Sequence, residues 1–271
     1  MSQKVSSHLY NEHYYRESDG ISYYRRAVAP PKIKKAMRLA NVKEEMTIVD
    51  IGCGRGDFIF ALDEEKVRFI GIDYSQEAMS MSSSLRAKLP EDKQVSISLL
   101  LSDGTELPLK SQSADVIFLM DLIEHLYPEQ LKKCMAECKR VLRTGGKLII
   151  HTSPNRWYND YGYPLWEHPL NRIINFIFRQ RLLDRPIRTA TDQTVHINEQ
   201  TLFTLRRQLK DTGFKSKVWF GSEYLRPVKK GDVFTQLLEI LRQMVCHLYP
   251  LSVVYPLRAF FSNDIWAVAS K

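Results

Sequence analysis

From Thr47 onward the chain alternates short aliphatic and β-branched runs with helix-length segments. Runs that are apolar on both sides predict strands of a parallel sheet covered on both faces. Strands are predicted at Thr47–Gly52, Val67–Asp73, Val95–Asp103, Ala114–Asp121 and Lys147–Ser153, then at Phe214–Gly221 and Asp264–Ala269. A helix is predicted over Pro128–Leu142, where Leu131, Cys134, Met135, Cys138, Val141 and Leu142 recur at helical spacing and Gly145-Gly146 is the expected stop. A second, Asn198–Thr212, carries Leu202, Leu205 and Leu209 on one stripe, with Asn198 as the expected N-cap and Gly213 as the stop. The pattern is that of an α/β fold.

Two segments break the alternation. Residues 154–195 are rich in aromatics and arginine, and residues 222–263 are long, mostly apolar and interrupted by Pro250 and Pro256. Both read as insertions in an α/β core. The charge-free stretch between Arg242 and Arg258 is shorter than the roughly 20 residues a spanning helix needs, so it is not expected to cross a bilayer. Two roles stay open for residues 233–261: peripheral contact with a membrane, or the wall of an apolar substrate pocket.

Composition narrows the class. Of 271 residues 44% are hydrophobic and 26% charged, too apolar for disorder and too charged for an integral membrane protein. Met1 to Gly20 is polar and tyrosine-rich with no apolar core of a secretory signal, so a cytoplasmic location is expected. Four scattered cysteines without a CxxC pair predict reduced thiols, neither a disulfide framework nor a zinc site. The net charge of +8 is uneven: 22 Lys and Arg stand against 21 Asp and Glu up to residue 150, and 17 against 10 after it. That asymmetry suggests an acidic partner but names neither nucleic acid, phospholipid nor a phosphorylated metabolite, and a solvated basic surface explains it equally well.

The candidate chemistry starts at Val49-Asp50-Ile51-Gly52-Cys53-Gly54-Arg55-Gly56, which follows a predicted strand and opens a predicted helix. Glycines there let the backbone bend sharply and press against a ligand where helix N–H groups point outward. Asp73 ends the next strand, 21 residues beyond Gly52, where α/β folds hold the ribose hydroxyls of a nucleoside cofactor. To this point NAD and S-adenosylmethionine fit alike. The dinucleotide fingerprint is GxGxxG, whereas here the third glycine is Gly56 and Asp57 follows it, poorly placed beside a pyrophosphate. A phosphate-free cofactor with an ammonium and a carboxylate fits better, with Asp50 near the ammonium. A third acid, Asp103, precedes Gly104 and would accept from an adenine amino group while the Gly104 N–H meets a ring nitrogen.

With VDIGCGRG (49–56), GIDYS (71–75), SDGTELPL (102–109), DVIFLMDLIEHL (115–126), LRTGGKLIIHTSPN (142–155) and HINEQTLFTLRRQLKDTGF (196–214) in this order, the sequence resembles the class I S-adenosylmethionine-dependent methyltransferases. It looks nearest to the small-molecule branch with a type-11 methyltransferase domain that includes the ubiquinone-pathway O-methyltransferases. The resemblance implies a Rossmann-like seven-stranded sheet with helices on both faces: a cap segment 1–46, then a methyltransferase domain 47–271 with insertions 154–195 and 222–263 at the substrate face. It implies S-adenosylmethionine as cofactor, with Gly52, Gly54 and Gly56 against its methionine part, Asp73 at the ribose, Asp103 with Gly104 at adenine, and Tyr74 also binding the cofactor. Met120 and Asp121 would line it near the sulfonium.

Methyl transfer from a sulfonium is an in-line displacement that positioning alone largely catalyses. A base is needed only for an acceptor that holds its proton at neutral pH, and histidine suits a hydroxyl. Glu124-His125 lies at the cofactor edge in similar enzymes, so His125 is the first candidate base; His196 and His151 follow, and no metal is expected. A quiet packing role for these histidines stands beside the catalytic one. The fourth strand lacks both the Asn/Asp-Pro-Pro-Tyr of exocyclic-amine enzymes and a Pro-Cys nucleophile, which lowers nucleic-acid bases as acceptors. Each insertion follows a parallel strand and should wall the acceptor pocket. Trp157, Tyr158, Tyr161, Tyr163 and Trp166, with the arginines around them, suit an apolar or aromatic acceptor bearing an acidic group, O-methylation favoured. Tyr14, Tyr15, Tyr23, Tyr24, Arg25 and Arg26 would cap the cofactor. The rivals are an RNA, DNA or protein methyltransferase, a nicotinamide-dependent oxidoreductase, and a non-catalytic cofactor-binding module docked on a membrane.

Overall fold

The computed structural model describes residues 4–17, 24–62, 66–178, 190–221 and 257–271, together with Val233, Gln236, Leu237, Ile240, Leu241, Met244 and Val254. Every predicted strand forms: β1 (Thr47–Ile51), β2 (Arg68–Asp73), β3 (Ile97–Leu101), β4 (Ala114–Met120), β5 (Leu142–Thr152), β6 (Lys215–Gly221) and β7 (Asp264–Ser270). They make one sheet in the order β3-β2-β1-β4-β5-β7-β6. Only β7 runs against its neighbours β5 and β6; the other pairings are parallel.

Both parities of the inner strands are apolar because both faces are covered. Ile48, Val116 and Phe118 point to one layer, with Phe58, Phe69 and the helix α1 (Pro31–Ala40), whose Ile33, Ala36 and Ala40 are buried. Val49, Ile117 and Leu119 point to the other. Helix α2 (Gln76–Arg86) starts after β2, its N-cap Ser75 accepting from the Ala78 amide. Helix α3 (Pro128–Val141) buries Leu131, Cys134, Met135 and Cys138 as its spacing predicts. Cys53, Cys134 and Cys138 are free thiols; Cys246 lies outside the described residues.

Three local expectations give way. Gly145-Gly146 does not stop α3: Leu142 is already extended and pairs with Ala114, and the glycines sit where the register shifts between Ala114 and Val116. Asn198 is not a cap, because its side chain donates to the Leu126 carbonyl; Thr201 caps the helix that runs Leu202–Asp211, accepting from the Thr204 amide. After the glycine loop the chain makes only a short 3-10 helix, Asp57–Ala61.

The two irregular segments are stitched together at their roots. Buried Asn155, just past β5, donates to the carbonyls of Ala259 (2.7 Å) and Ser262 (2.8 Å), just before β7. Trp157 stacks on Phe260. At Gly162 a Cβ would lie 1.8 Å from the Phe260 carbonyl oxygen, so no larger residue fits without parting the segments. Gly162→Ala is expected to lower unfolding free energy by about 2 kcal/mol or more. Denaturant titration checks this; an unchanged midpoint would show that the two roots are not in contact.

Candidate functional site

In an open α/β sheet ligands bind at the carboxyl ends of the strands where the order reverses, here between β1 and β4. A cleft of about 970 Å³ opens at that point, walled by Asp50, Gly52, Gly54, Met120, Asp121 and His125. A second cavity of about 440 Å³ adjoins it, walled by Lys4, Ile51, Ser102, Asp103, Gly104 and Gln130. Gly52, Asp73, Tyr74, Leu122 and His125 line both, so they form one trough. Of the cofactor-binding and catalytic candidates read from the sequence, Gly56, Glu124, His151 and His196 do not line this wall. For Gly56 the reason is structural. Its φ of +86° makes the turn, and a Cβ would press Ile59 and Ser82, so it serves close packing against α2.

Carboxylates dominate the trough. Asp73 accepts from the amides of Gly54 (2.9 Å) and Ser75 (2.8 Å). Burial raises its pKa and those bonds only partly offset the rise. Asp50 is buried, and its Oδ1 has no hydrogen-bond partner among the described residues. Burial, then the charges of Asp73 and Asp57, push its pKa well above the carboxyl range. A bound cation would reverse that cost. Burial raises the Asp103 pKa, but its pairing with Lys4 and the hydrogen bonds from Thr105 together outweigh it and lower the pKa.

Asp121 ends β4 in the left-handed region (φ 52°) and joins Lys32 of α1 to His151 Nδ1, the latter at 2.6 Å. The His151 Nε2 stands 3.8 Å from Asp264. Burial opposes the His151 charge, but Asp121 and Asp264 prevail and raise its pKa to about 10. For Asp121, burial is overcome by Lys32 and His151, and its pKa falls far below the usual range.

His125 Nδ1 lies 3.1 Å from the Val195 carbonyl oxygen. A carbonyl only accepts, so Nδ1 carries the proton and the lone pair is left on Nε2. Ligating atoms of Glu124, His125 and His196 lie within 4.8 Å of one another. Glu124 is fully buried beneath the trough; its Oε2 accepts from Thr152 (2.8 Å), and burial together with Asp121 pushes its pKa up to about 8.

The N-terminal segment closes the trough as a strap. Lys4 pairs with Asp103, Tyr74 donates to the Val5 carbonyl, Ser75 to that of Tyr10, and Arg55 to that of Tyr15. Tyr10, Tyr14 and Tyr15 line the cleft, while Tyr24 packs on Phe60 with Arg55 over its ring. Tyr23 falls outside the described residues. Lys32 and Tyr10 carry no motif of their own; Arg55 lies within the glycine motif, where only a buried charge beside a glycine turn would have marked it.

Residues 49–150 match the family model described as a methyltransferase domain. Over that stretch the chain is similar to methyltransferase domains. It is 32% identical over 119 residues to a probable S-adenosylmethionine-dependent methyltransferase of Mycolicibacterium smegmatis, covering 44% of this chain and 42% of that protein. It is 26% identical over 141 residues to a ubiquinone biosynthesis O-methyltransferase of Coxiella burnetii, covering 50% and 57%, and 26% over 125 residues to the tRNA N(3)-methylcytidine methyltransferase Mettl2 of Drosophila melanogaster, covering 45% and 36%. The chain thus spans about half the length, or less, of these curated relatives. An S-adenosylmethionine-dependent methyltransferase structure from Archaeoglobus fulgidus superposes with a TM-score of 0.54 over 93% of this chain and all of that one, at 20% identity, which speaks for the fold alone.

S-adenosylmethionine is the cofactor of this domain, and the trough fits it. The orphaned Asp50 Oδ1 suits its ammonium, and Asp73 keeps spare lone pairs for ribose hydroxyls. The glycine cradle is bare where side chains would intrude: a Cβ at Gly52 or Gly104 would come within 2.9 Å of Leu122 or Ile51.

Two outcomes are expected. Asp73→Ala frees the Gly54 and Ser75 amides and should weaken S-adenosylhomocysteine binding by about 100-fold, read by calorimetry; unchanged affinity would remove Asp73 from the site. Glu124 binds its proton more tightly folded than unfolded, so its contribution to stability is complete below the ordinary carboxyl range and is lost as pH rises through about 8. Melting temperature should therefore fall between pH 5 and 9 by this route, and Glu124→Gln should flatten the fall; an identical slope in the variant would contradict the assignment.

Proposed function

We propose that the chain transfers the methyl group of S-adenosylmethionine to a small-molecule acceptor, with oxygen the favoured acceptor atom. The observation that carries this reading is the 3.1 Å contact of His125 Nδ1 with the Val195 carbonyl oxygen, on a residue that lines the trough; a carbonyl only accepts, which assigns the proton to Nδ1 and the lone pair to Nε2. When bound, the cofactor supplies an electrophilic methyl on a sulfonium. His125 takes the acceptor's hydroxyl proton at Nε2 as the oxygen gains the methyl group. Glu124 stands within 4.8 Å, its carboxyl kept largely protonated at neutral pH by burial and the charge of Asp121. Asp121, locked by Lys32 and His151, holds its charge beside Met120 at the end of β4. The strap excludes water from the cofactor end.

The acceptor is proposed to be apolar or aromatic with an acidic group. Trp157, Tyr158 and Tyr161 stand in the first irregular segment, with Arg156 and Arg172 among them. The similarity to a tRNA methyltransferase and the basic second half support a nucleic-acid acceptor as the alternative. That alternative predicts transfer to RNA that falls steeply with salt.

Incubation with methyl-labelled S-adenosylmethionine and pools of hydroxylated aromatics, lipids or RNA separates the two. Transfer to RNA alone, or to nitrogen alone, overturns the favoured reading. His125→Ala is expected to cut the rate by about 100-fold or more while S-adenosylhomocysteine affinity is unchanged; a rate equal to wild type across the pH range would remove His125 as the base.

A further inference from the structure

The N-terminal strap lies directly on the groups that would hold the cofactor. The Lys4 ammonium is bonded to Asp103 Oδ2, and the Thr105 amide donates to Oδ1 at 2.8 Å, so both oxygens of the carboxylate expected at adenine are engaged. The Tyr15 ring covers the glycine turn, its Cε1 and Oη standing 3.2 Å from where a Cβ at Gly54 would lie. Between these points the Val5 carbonyl accepts from Tyr74 (3.2 Å) and the Tyr10 carbonyl from Ser75 (3.1 Å). Lys4 and Val5 wall the cavity at Asp103 and Gly104, while Tyr10, Tyr14 and Tyr15 wall the cleft at Asp50 and Gly54.

An ammonium offers a carboxylate what an adenine amino group offers it, an N–H donor. The strap thus presents to Asp103 the same chemistry as the cofactor. The Lys4 and Asp103 side chains are 47% and 25% exposed, so this is a surface pair, broken at small cost and weakened by salt. Farther along, Arg55 donates to the Tyr15 carbonyl at 2.7 Å, and Tyr10 and Tyr15 pack in one cluster with Ala78 and Val195. Opening of the Lys4 pair alone leaves the segment anchored.

We propose that Lys4 is an internal stand-in for the adenine amino group: it occupies Asp103 while the trough is empty, and S-adenosylmethionine enters by displacing it. This rests on the assignment of the trough to that cofactor and adds a control on its entry. Apparent affinity is then the intrinsic affinity multiplied by the fraction of molecules in which Lys4 has left Asp103. Once displaced, Lys4 no longer touches the carboxylate, so the pair slows entry without holding the cofactor in. A cap that retained its ligand would do the reverse, slowing release.

Association and release of S-adenosylhomocysteine, measured by surface plasmon resonance on the immobilised full chain, test this with Lys4→Ala, Lys4→Arg and Lys217→Ala. Lys4→Ala should speed association and tighten affinity by about threefold, as fits an exposed ion pair, with release unchanged. Lys4→Arg keeps the donor and should match wild type. Lys217→Ala removes an exposed charge from β6, at the far edge of the sheet, and should also match it. Added salt should lift association of the wild type toward that of Lys4→Ala and leave the variant unmoved. Faster release with weaker affinity in Lys4→Ala would make Lys4 a retaining cap, and rates equal to wild type would remove it from the entry step; either overturns the proposal while the cofactor assignment stands. No binding by any of these proteins would sink the cofactor assignment and the proposal with it.

Discussion

Two backbone amides from different loops converge on the carboxylate of Asp73, and the trough depends on that fastening. Gly54 belongs to the turn after β1 and Ser75 to the turn after β2, so one side chain holds both rims at their working distance. Burying a carboxylate is costly, and the two N–H donors offset only part of that cost. Burial, then the charges of Asp73 and Asp57, raise the pKa of Asp50 beside it. A wall with buried carboxyls at Asp50 and Asp73, and with Asp57 held by Arg55, favours a ligand that brings hydroxyl donors and a positive charge.

The opposite wall is organised by charge already balanced. Lys32, Asp121, His151 and Asp264 form a chain of ion pairs running from α1 to the start of β7, and it fixes the left-handed Asp121 at the end of β4. The strap then crosses between the walls, bonded to Arg55, Tyr74, Ser75 and Asp103. Each of those partners sits on a loop that also contributes to the trough. The strap and the trough thus share the same loops, and the Lys4 contact places a cation on the carboxylate that would meet adenine.

Much of this was legible in the residue pattern. The inner strands announce themselves because a doubly covered sheet demands apolar residues at both parities, as at Ile48-Val49 and Val116–Leu119. The glycine loop, Asp73 and Asp103 are legible because close approach and ribose recognition require those residue types at strand ends. Other features have no local signature. Lys32 meets Asp121 across 89 positions, and Lys4 meets Asp103 across 99, so neither pair leaves a spacing to read. Asn198 and Thr201 are both good caps by chemistry, and only the Leu126 carbonyl decides which of them is used elsewhere. The amphipathic pattern of helix α4 (His168–Phe178) is plain in the sequence, but its outward orientation, with Phe176 exposed, is set by where Asn155 and Gly162 anchor the segment.

Calorimetric titration of the purified protein with S-adenosylhomocysteine, with NADH run alongside, tests most directly what the trough holds. One saturable micromolar site for S-adenosylhomocysteine and no heat from NADH is the expected result. Saturable NADH binding, or no binding of S-adenosylhomocysteine at any concentration reached, would contradict the assignment of the trough to this cofactor.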